Sequence, residues 1–226
     1  MLRLERETPS ILETELGEKE RELREMFIKD ATVKDHESGY ISVPSVNQKI
    51  NPDMQGRAAD LIAAEFQGRG VSVIVGVPNS GNFLASAVSE RLNLPLALGR
   101  KEPAKPMEEE VDYPGSWENP IIVRQVPSFT TGKLSDFAFN GLRGEESVLV
   151  IEDVIAHGST LDHLLDPFRE AGLEVHAATY FSKLFQEGVG LLRDRGLDPF
   201  SVIGIEGVQT DINGIWKPVL ASSHFS

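Results

Sequence analysis

Residues 148–160 read Val148-Leu149-Val150-Ile151-Glu152-Asp153-Val154-Ile155-Ala156-His157-Gly158-Ser159-Thr160. An apolar run meets two adjacent acids, two more apolar residues follow, and a small-residue turn ends in hydroxyls. Leu161, Leu164, Leu165 and Phe168 come next at i, i+3, i+4, i+7, the spacing of one helix face. The stretch therefore reads as a buried parallel strand, a loop and a helix N-terminus. In open α/β sheets, ligands bind outside the carboxyl ends of the strands. The helix start offers unpaired N–H groups and a positive dipole end to a phosphate. The acids do not suit that phosphate, because like charges repel. They suit sugar hydroxyls or a hydrated Mg²⁺. Phosphate at one end and a diol at the other describe a phosphorylated ribose.

The same strand–loop–helix device occurs earlier. Val71 to Val77 is apolar and β-branched, and Pro78-Asn79-Ser80-Gly81-Asn82-Phe83 leads into a helical pattern of Leu84, Val88 and Leu92. Gly81 permits close backbone approach at such a loop. Before it, Ala58, Leu61, Ile62 and Phe66 fit one face of a helix closed by Gly68 and Gly70. Leu94 to Gly99 reads as a third strand, with the adjacent cations Arg100 and Lys101 at its end.

Residues 102–133, with Glu108-Glu109-Glu110 and repeated prolines, form a compositional break with a short strand suggested around Ile121-Ile122-Val123 and Val126. A long loop inside a compact domain is usually functional or disordered. Beyond the signature helix, Glu174 to Phe181 reads as a strand, Val189 to Arg193 as a helix broken by Gly196, and Phe200 to Ile205 as the last core strand. The tail to Ser226 reads as polar and irregular. Strands alternating with helices across residues 54–207 predict an α/β fold with a doubly wound, mostly parallel sheet. The first thirty residues are densely charged, and Leu16, Leu23 and Phe27 are among their few apolar points. They predict an exposed, solvated helix, or one packed on a partner subunit. The division expected is a charged helical extension over 1–30 and one domain over 31–226.

Composition bounds the function. The chain has 226 residues, no cysteine and a net charge of −13. Without cysteine there is no disulfide framework, thiolate nucleophile or zinc–thiolate site. No apolar run approaches the ~20 residues of a membrane span, and Met-Leu-Arg-Leu-Glu-Arg-Glu does not resemble a signal peptide. A cytoplasmic protein is expected. Nucleic-acid binding draws on Lys and Arg against phosphates, so an acidic chain without a basic run disfavours it.

The 148–160 stretch resembles the phosphoribosyl-pyrophosphate (PRPP) signature of type I phosphoribosyltransferases. The resemblance implies that family's fold, with a small hood from the N- and C-terminal segments, a role in purine salvage, Mg²⁺ as cofactor and a homodimer. It implies that Glu152 and Asp153 hold the ribose hydroxyls and reach the metal indirectly. Ala156, His157, Gly158, Ser159 and Thr160 would wrap the 5-phosphate. Asn79, Ser80 and Gly81, with Arg100 and Lys101, would hold pyrophosphate, the two cations acting in catalysis. Ser128 and Thr130 would present hydroxyls from a closing loop.

Four stretches are most similar to the xanthine branch: Val46-Asn47-Gln48-Lys49-Ile50-Asn51-Pro52, Arg100-Lys101, Ser128-Phe129-Thr130 and Ser182-Lys183-Leu184-Phe185-Gln186-Glu187-Gly188. They imply a purine acceptor, an oxopurine such as xanthine, contacted by Asn47 and Lys183 with Val154 and Ile155 beside it. Ala156 stands where the hypoxanthine–guanine enzymes carry an aspartate base, and His157 has no counterpart role. Another base such as orotate, an atypical acceptor, or a PRPP-sensing regulator without catalysis are the alternatives.

Overall fold

The apolar run of the signature lies at the middle of the sheet. The computed structural model describes residues 11–103, 120–127 and 133–224. β7 (Ser147–Ile155) runs parallel to β3 (Val73–Gly76) on one side and to β8 (Glu174–Lys183) on the other. Val148, Leu149, Val150 and Ile151 are wholly buried, as a strand covered on both faces requires. Outward from this centre, β9 (Phe200–Thr210) is parallel to β8, and β4 (Leu96–Pro103) is parallel to β3. The edges are antiparallel: β10 (Trp216–Leu220) on β9, and β6 (Leu134–Phe139) on β4 with β5 (Ile121–Pro127) beyond it. The resulting eight-stranded order is β10-β9-β8-β7-β3-β4-β6-β5.

Helices cover both faces. Leu23 and Phe27 of α1 (Ile11–Asp30), Leu61 and Ile62 of α3 (Pro52–Phe66), and Leu84 and Val88 of α4 (Gly81–Leu92) share one core with Ile74, Leu149 and Ile151. On the other face, Leu161, Leu164, Leu165 and Phe168 of α5 (Ser159–Glu170) and Leu192 of α6 (Gly188–Asp194) pack with Val75, Val148 and Val150. Odd and even positions of β3 and β7 thus serve different cores, which is the doubly wound arrangement. A hairpin of β1 (Thr32–Asp35) and β2 (Tyr40–Ser42) and the short α2 (Pro44–Asn47) precede α3. Asn51 caps α3, its side chain accepting from the N–H groups of Asp53 and Met54, with Pro52 at the first turn.

Three expectations are corrected. The N-terminal helix is not a solvated extension: Leu23 and Phe27 are fully buried and Leu16 nearly so. Spaced by seven and four residues, they form a narrow stripe that docks on α3, with Lys19 to Asp60 at 2.8 Å and an Arg57–Glu22 pair at its border. Charge density on the remaining faces hides that stripe from a composition reading. The tail is not irregular, because β9 continues past Ile205 and turns back into β10, giving the sheet an antiparallel edge. At the 102–133 break the strand expected around residues 121–126 is present as β5, paired antiparallel with β6, and the correction lies at the start of the break, since β4 extends to Pro103. Among the described residues no helix is long and apolar enough to cross a membrane.

Candidate active site

The carboxyl ends of β3, β7 and β8 open onto one cleft of about 350 Å³. Asn79, Ser80, Lys101, Glu152, Asp153, Val154, Ala156, His157, Gly158, Ser159, Thr160, Lys183 and Asn47, all singled out from sequence, line it. They come from segments more than a hundred residues apart, gathered because parallel strands end on the same side.

β7 does not stop at the acids. Its ladder continues through Glu152 and Val154 to Ile155, paired with Thr179, Phe181 and Ser182. Alternation along the strand buries Glu152, at 8% exposure, and leaves Asp153 half-buried. Burial pushes the Glu152 carboxyl up to about 8, the Asp153 charge adds to the shift, and a Thr160 hydrogen bond opposes it. The Asp153 carboxyl is also raised, chiefly by burial, against hydrogen bonds from Asn47, from Ser80 and from backbone N–H groups. The Asn47 amide reaches Asp153 Oδ2 at 3.3 Å. A polyol donating hydrogen bonds to this pair would favour the ionised state that burial disfavours.

Beyond β7, Gly158 (φ 74°) is the left-handed residue ahead of α5. An added Cβ there would meet the Gly188 backbone at 2.8 Å, and a Cβ on Gly188 would fall 2.3 Å from the Ala156 carbonyl oxygen. The Gly188 N–H also donates to that oxygen at 3.1 Å. Gly188, at the start of α6, therefore backs the 156–158 loop. Its place in the Ser182–Gly188 stretch was visible in sequence, its role was not. Gly188→Ala is expected to displace the loop and weaken phosphate-ligand affinity by about tenfold. Gly190→Ala, where no described residue lies within 4 Å, is expected to leave it unchanged; calorimetric titration with ribose 5-phosphate separates the two.

The loop after β3 differs from the sequence expectation at Gly81. The Pro78–Asn79 peptide is cis. Gly81 does not face the cleft: a Cβ there would sit 2.4 Å from the Ile151 carbonyl oxygen, so its bareness lets α4 start against β7. Asn82 ties the loop to β4, its amide donating to the Gly99 carbonyl at 2.9 Å.

Arg100 and Lys101 lie within β4, not past its end, paired with Ala138 and Phe137 of β6. Neighbours on a strand face opposite ways. Lys101 lines the cleft, while Arg100 donates to the Asn140 side-chain oxygen at 2.9 Å. The structure thus brings one of the two cations to the cleft. Ile155 likewise turns away from it and packs, 1% exposed, in the α5-side core. Ser128 and Thr130 lie outside the described residues.

Lys183, the last residue of β8, is 3% exposed, and burial lowers its ammonium below the usual lysine range. Tyr40, Ile41 and Ser42 of β2 also line the cleft, and no periodicity or motif marked them; Gln48 and Phe181, which lay in marked stretches without a role of their own, line it too. Among the described residues no group of three or more His, Asp or Glu is arranged to hold a metal. The hard oxygens of Glu152 and Asp153 fit Mg²⁺ only as partners to ligand and water oxygens.

A phosphoribosyl transferase domain model matches residues 47–195, from α2 through α6. The chain belongs to the phosphoribosyl transferase family. It is an enzyme of the transferase class, built on that family's α/β fold with a mostly parallel sheet. The chain is similar to the xanthine phosphoribosyltransferase of Heliobacterium modesticaldum, 29% identical over 167 residues, covering 73% of this chain and 83% of that protein. It is also similar to the adenine phosphoribosyltransferase of Mannheimia succiniciproducens, 27% identical over 158 residues, covering 69% and 81%. Among solved structures, an adenine phosphoribosyltransferase from Rhodothermus marinus shares the fold, with a TM-score of 0.60 at 16% identity over 82% of this chain and 99% of that one.

Proposed function

We propose that the protein transfers the phosphoribosyl group of PRPP to a purine, and to an oxopurine in preference to adenine, releasing pyrophosphate. The observation that carries the preference is Lys183, a buried lysine on the same cleft as the paired acids and the helix-start loop. Oxopurines present carbonyl acceptors to a donor-only group, whereas the exocyclic amine of adenine gains nothing from it. The relation to a xanthine phosphoribosyltransferase supports this reading.

In this reading the 156–160 loop and the start of α5 hold the 5-phosphate. Glu152 and Asp153 accept from the ribose hydroxyls. Lys101 stabilises the pyrophosphate as its bond to the anomeric carbon breaks and a purine nitrogen takes its place. Mg²⁺ bound with PRPP supplies further charge neutralisation on the leaving group. Ala156 offers no carboxylate to the base, so rate enhancement comes from positioning and electrostatics.

The experiment is a panel of xanthine, hypoxanthine, guanine, adenine and orotate with PRPP and Mg²⁺, read by pyrophosphate release. Xanthine or another oxopurine is expected as best acceptor; adenine or orotate in that place refutes the preference. In a nucleotide complex the 5-phosphate is expected against the N–H groups of His157, Gly158, Ser159 and Thr160. A crystal structure with the phosphate elsewhere overturns the loop's role.

A further inference from the structure

We propose that Gln186 is a positioning residue for base recognition, latching the β1–β2 hairpin onto the turn that carries Lys183. This role rests on the base-transfer reading above. The hairpin (residues 32–42) lies ahead of the 47–195 family match, and β10 lies beyond it. Yet Tyr40, Ile41 and Ser42 line the same cleft as Lys183. One wall of the candidate base pocket is therefore made of chain outside the family core, and something must hold it in register with that core.

Gln186 holds both sides. Its N–H donates to the Lys183 carbonyl at 2.9 Å, closing the turn after β8. Its side-chain Nε2 donates to the Ser38 carbonyl at 3.0 Å, in the hairpin turn. Next to that bond Gly39 (φ +67°) lies against Phe185, so closely that a Cβ would fall 2.6 Å from the ring. At the other end of the hairpin turn, His36 stacks on Trp216 of β10 with centroids 4.4 Å apart and planes 9° apart. The hairpin thus bridges the C-terminal strand and the Lys183 turn. Gln186 Oε1 is buried and has no hydrogen-bond partner among the described residues. The latch therefore works through its donor end alone, so a donor of similar reach is what the site requires. Gly188 keeps its own bond to Ala156, which separates the latch from the phosphate loop.

Steady-state kinetics on Gln186→Ala, Gln186→Glu and Gln186→Lys test this. Alanine removes the donor and glutamate replaces it with an acceptor, so both are expected to raise KM for the accepted base by about tenfold or more, with KM for PRPP within about twofold. Lysine keeps a donor and is expected to restore the base KM to within about threefold of the parent. An unchanged base KM in the alanine variant, equal rises in both KM values, or a lysine variant as impaired as alanine overturns the latch. A parent enzyme that turns over no base overturns the base-transfer reading and the latch together. Parent turnover with unaltered alanine kinetics removes the latch only.

Discussion

Lys183→Ala is expected to lower kcat/KM for an oxopurine by about a hundredfold or more while PRPP affinity stays within about threefold. The lysine is 3% exposed, so its loss leaves a ring carbonyl without the buried cationic donor that faced it. Buried polar groups without partners are what make such discrimination steep. Lys183→Met keeps the stem and removes the cation, and is expected to match alanine in turnover while preserving the melting temperature better. If either variant turns over oxopurines as the parent does, recognition of the base lies elsewhere in the cleft. Measured adenine turnover should change far less in both, because adenine has no carbonyl for the lysine to meet.

The double variant Glu152→Gln/Asp153→Asn is expected to move binding and stability in opposite directions. PRPP binding should weaken by about 1–3 kcal/mol, the scale of hydrogen bonds to charged groups. Stability should rise at alkaline pH. The Glu152 carboxyl is raised from 4.5 to about 8 in the folded chain, and Asp153 shifts the same way. Between those values the folded state holds a proton that the unfolded state has released. The associated stabilisation is complete below the unfolded value and lost as pH rises through the folded one. The amides do not titrate, so the variant should gain on the parent, by on the order of a few kcal/mol, between about pH 5 and about pH 9. Because the two acids interact, the transition belongs to the pair. Melting curves across that range and calorimetric titration with PRPP read both effects. A variant that binds PRPP as tightly as the parent overturns the diol assignment, and a stability difference that does not change with pH overturns the burial argument.

The 148–160 stretch disclosed the central strand, the acids and the helix-start loop because each depends on neighbours in sequence. Apolar periodicity changes from strand to helix within a few residues, and a strand that must be buried on both faces has few alternatives to an apolar run. The second loop at Pro78–Gly81 was legible for the same reason. The cations were legible only as residues. Which of them enters the cleft depends on β4 continuing beyond Gly99 into its ladder with β6, and that register directs Lys101 inward and Arg100 toward Asn140. Tertiary structure also decided that α1 belongs to the core, since its stripe of Leu16, Leu23 and Phe27 is sparse until α3 supplies the facing surface. Gly81 and Gly188 acquired their roles from chain segments distant in sequence, the Ile151–Glu152 backbone and the 156–158 loop. The sequence by itself determined the α/β sheet and, through the strand–loop–helix pattern, most of the residues that line the candidate cleft. Burial of Lys183, the cleft wall from β2 and the latch at Gln186 came from pairings between remote segments, whose register no single stretch specifies.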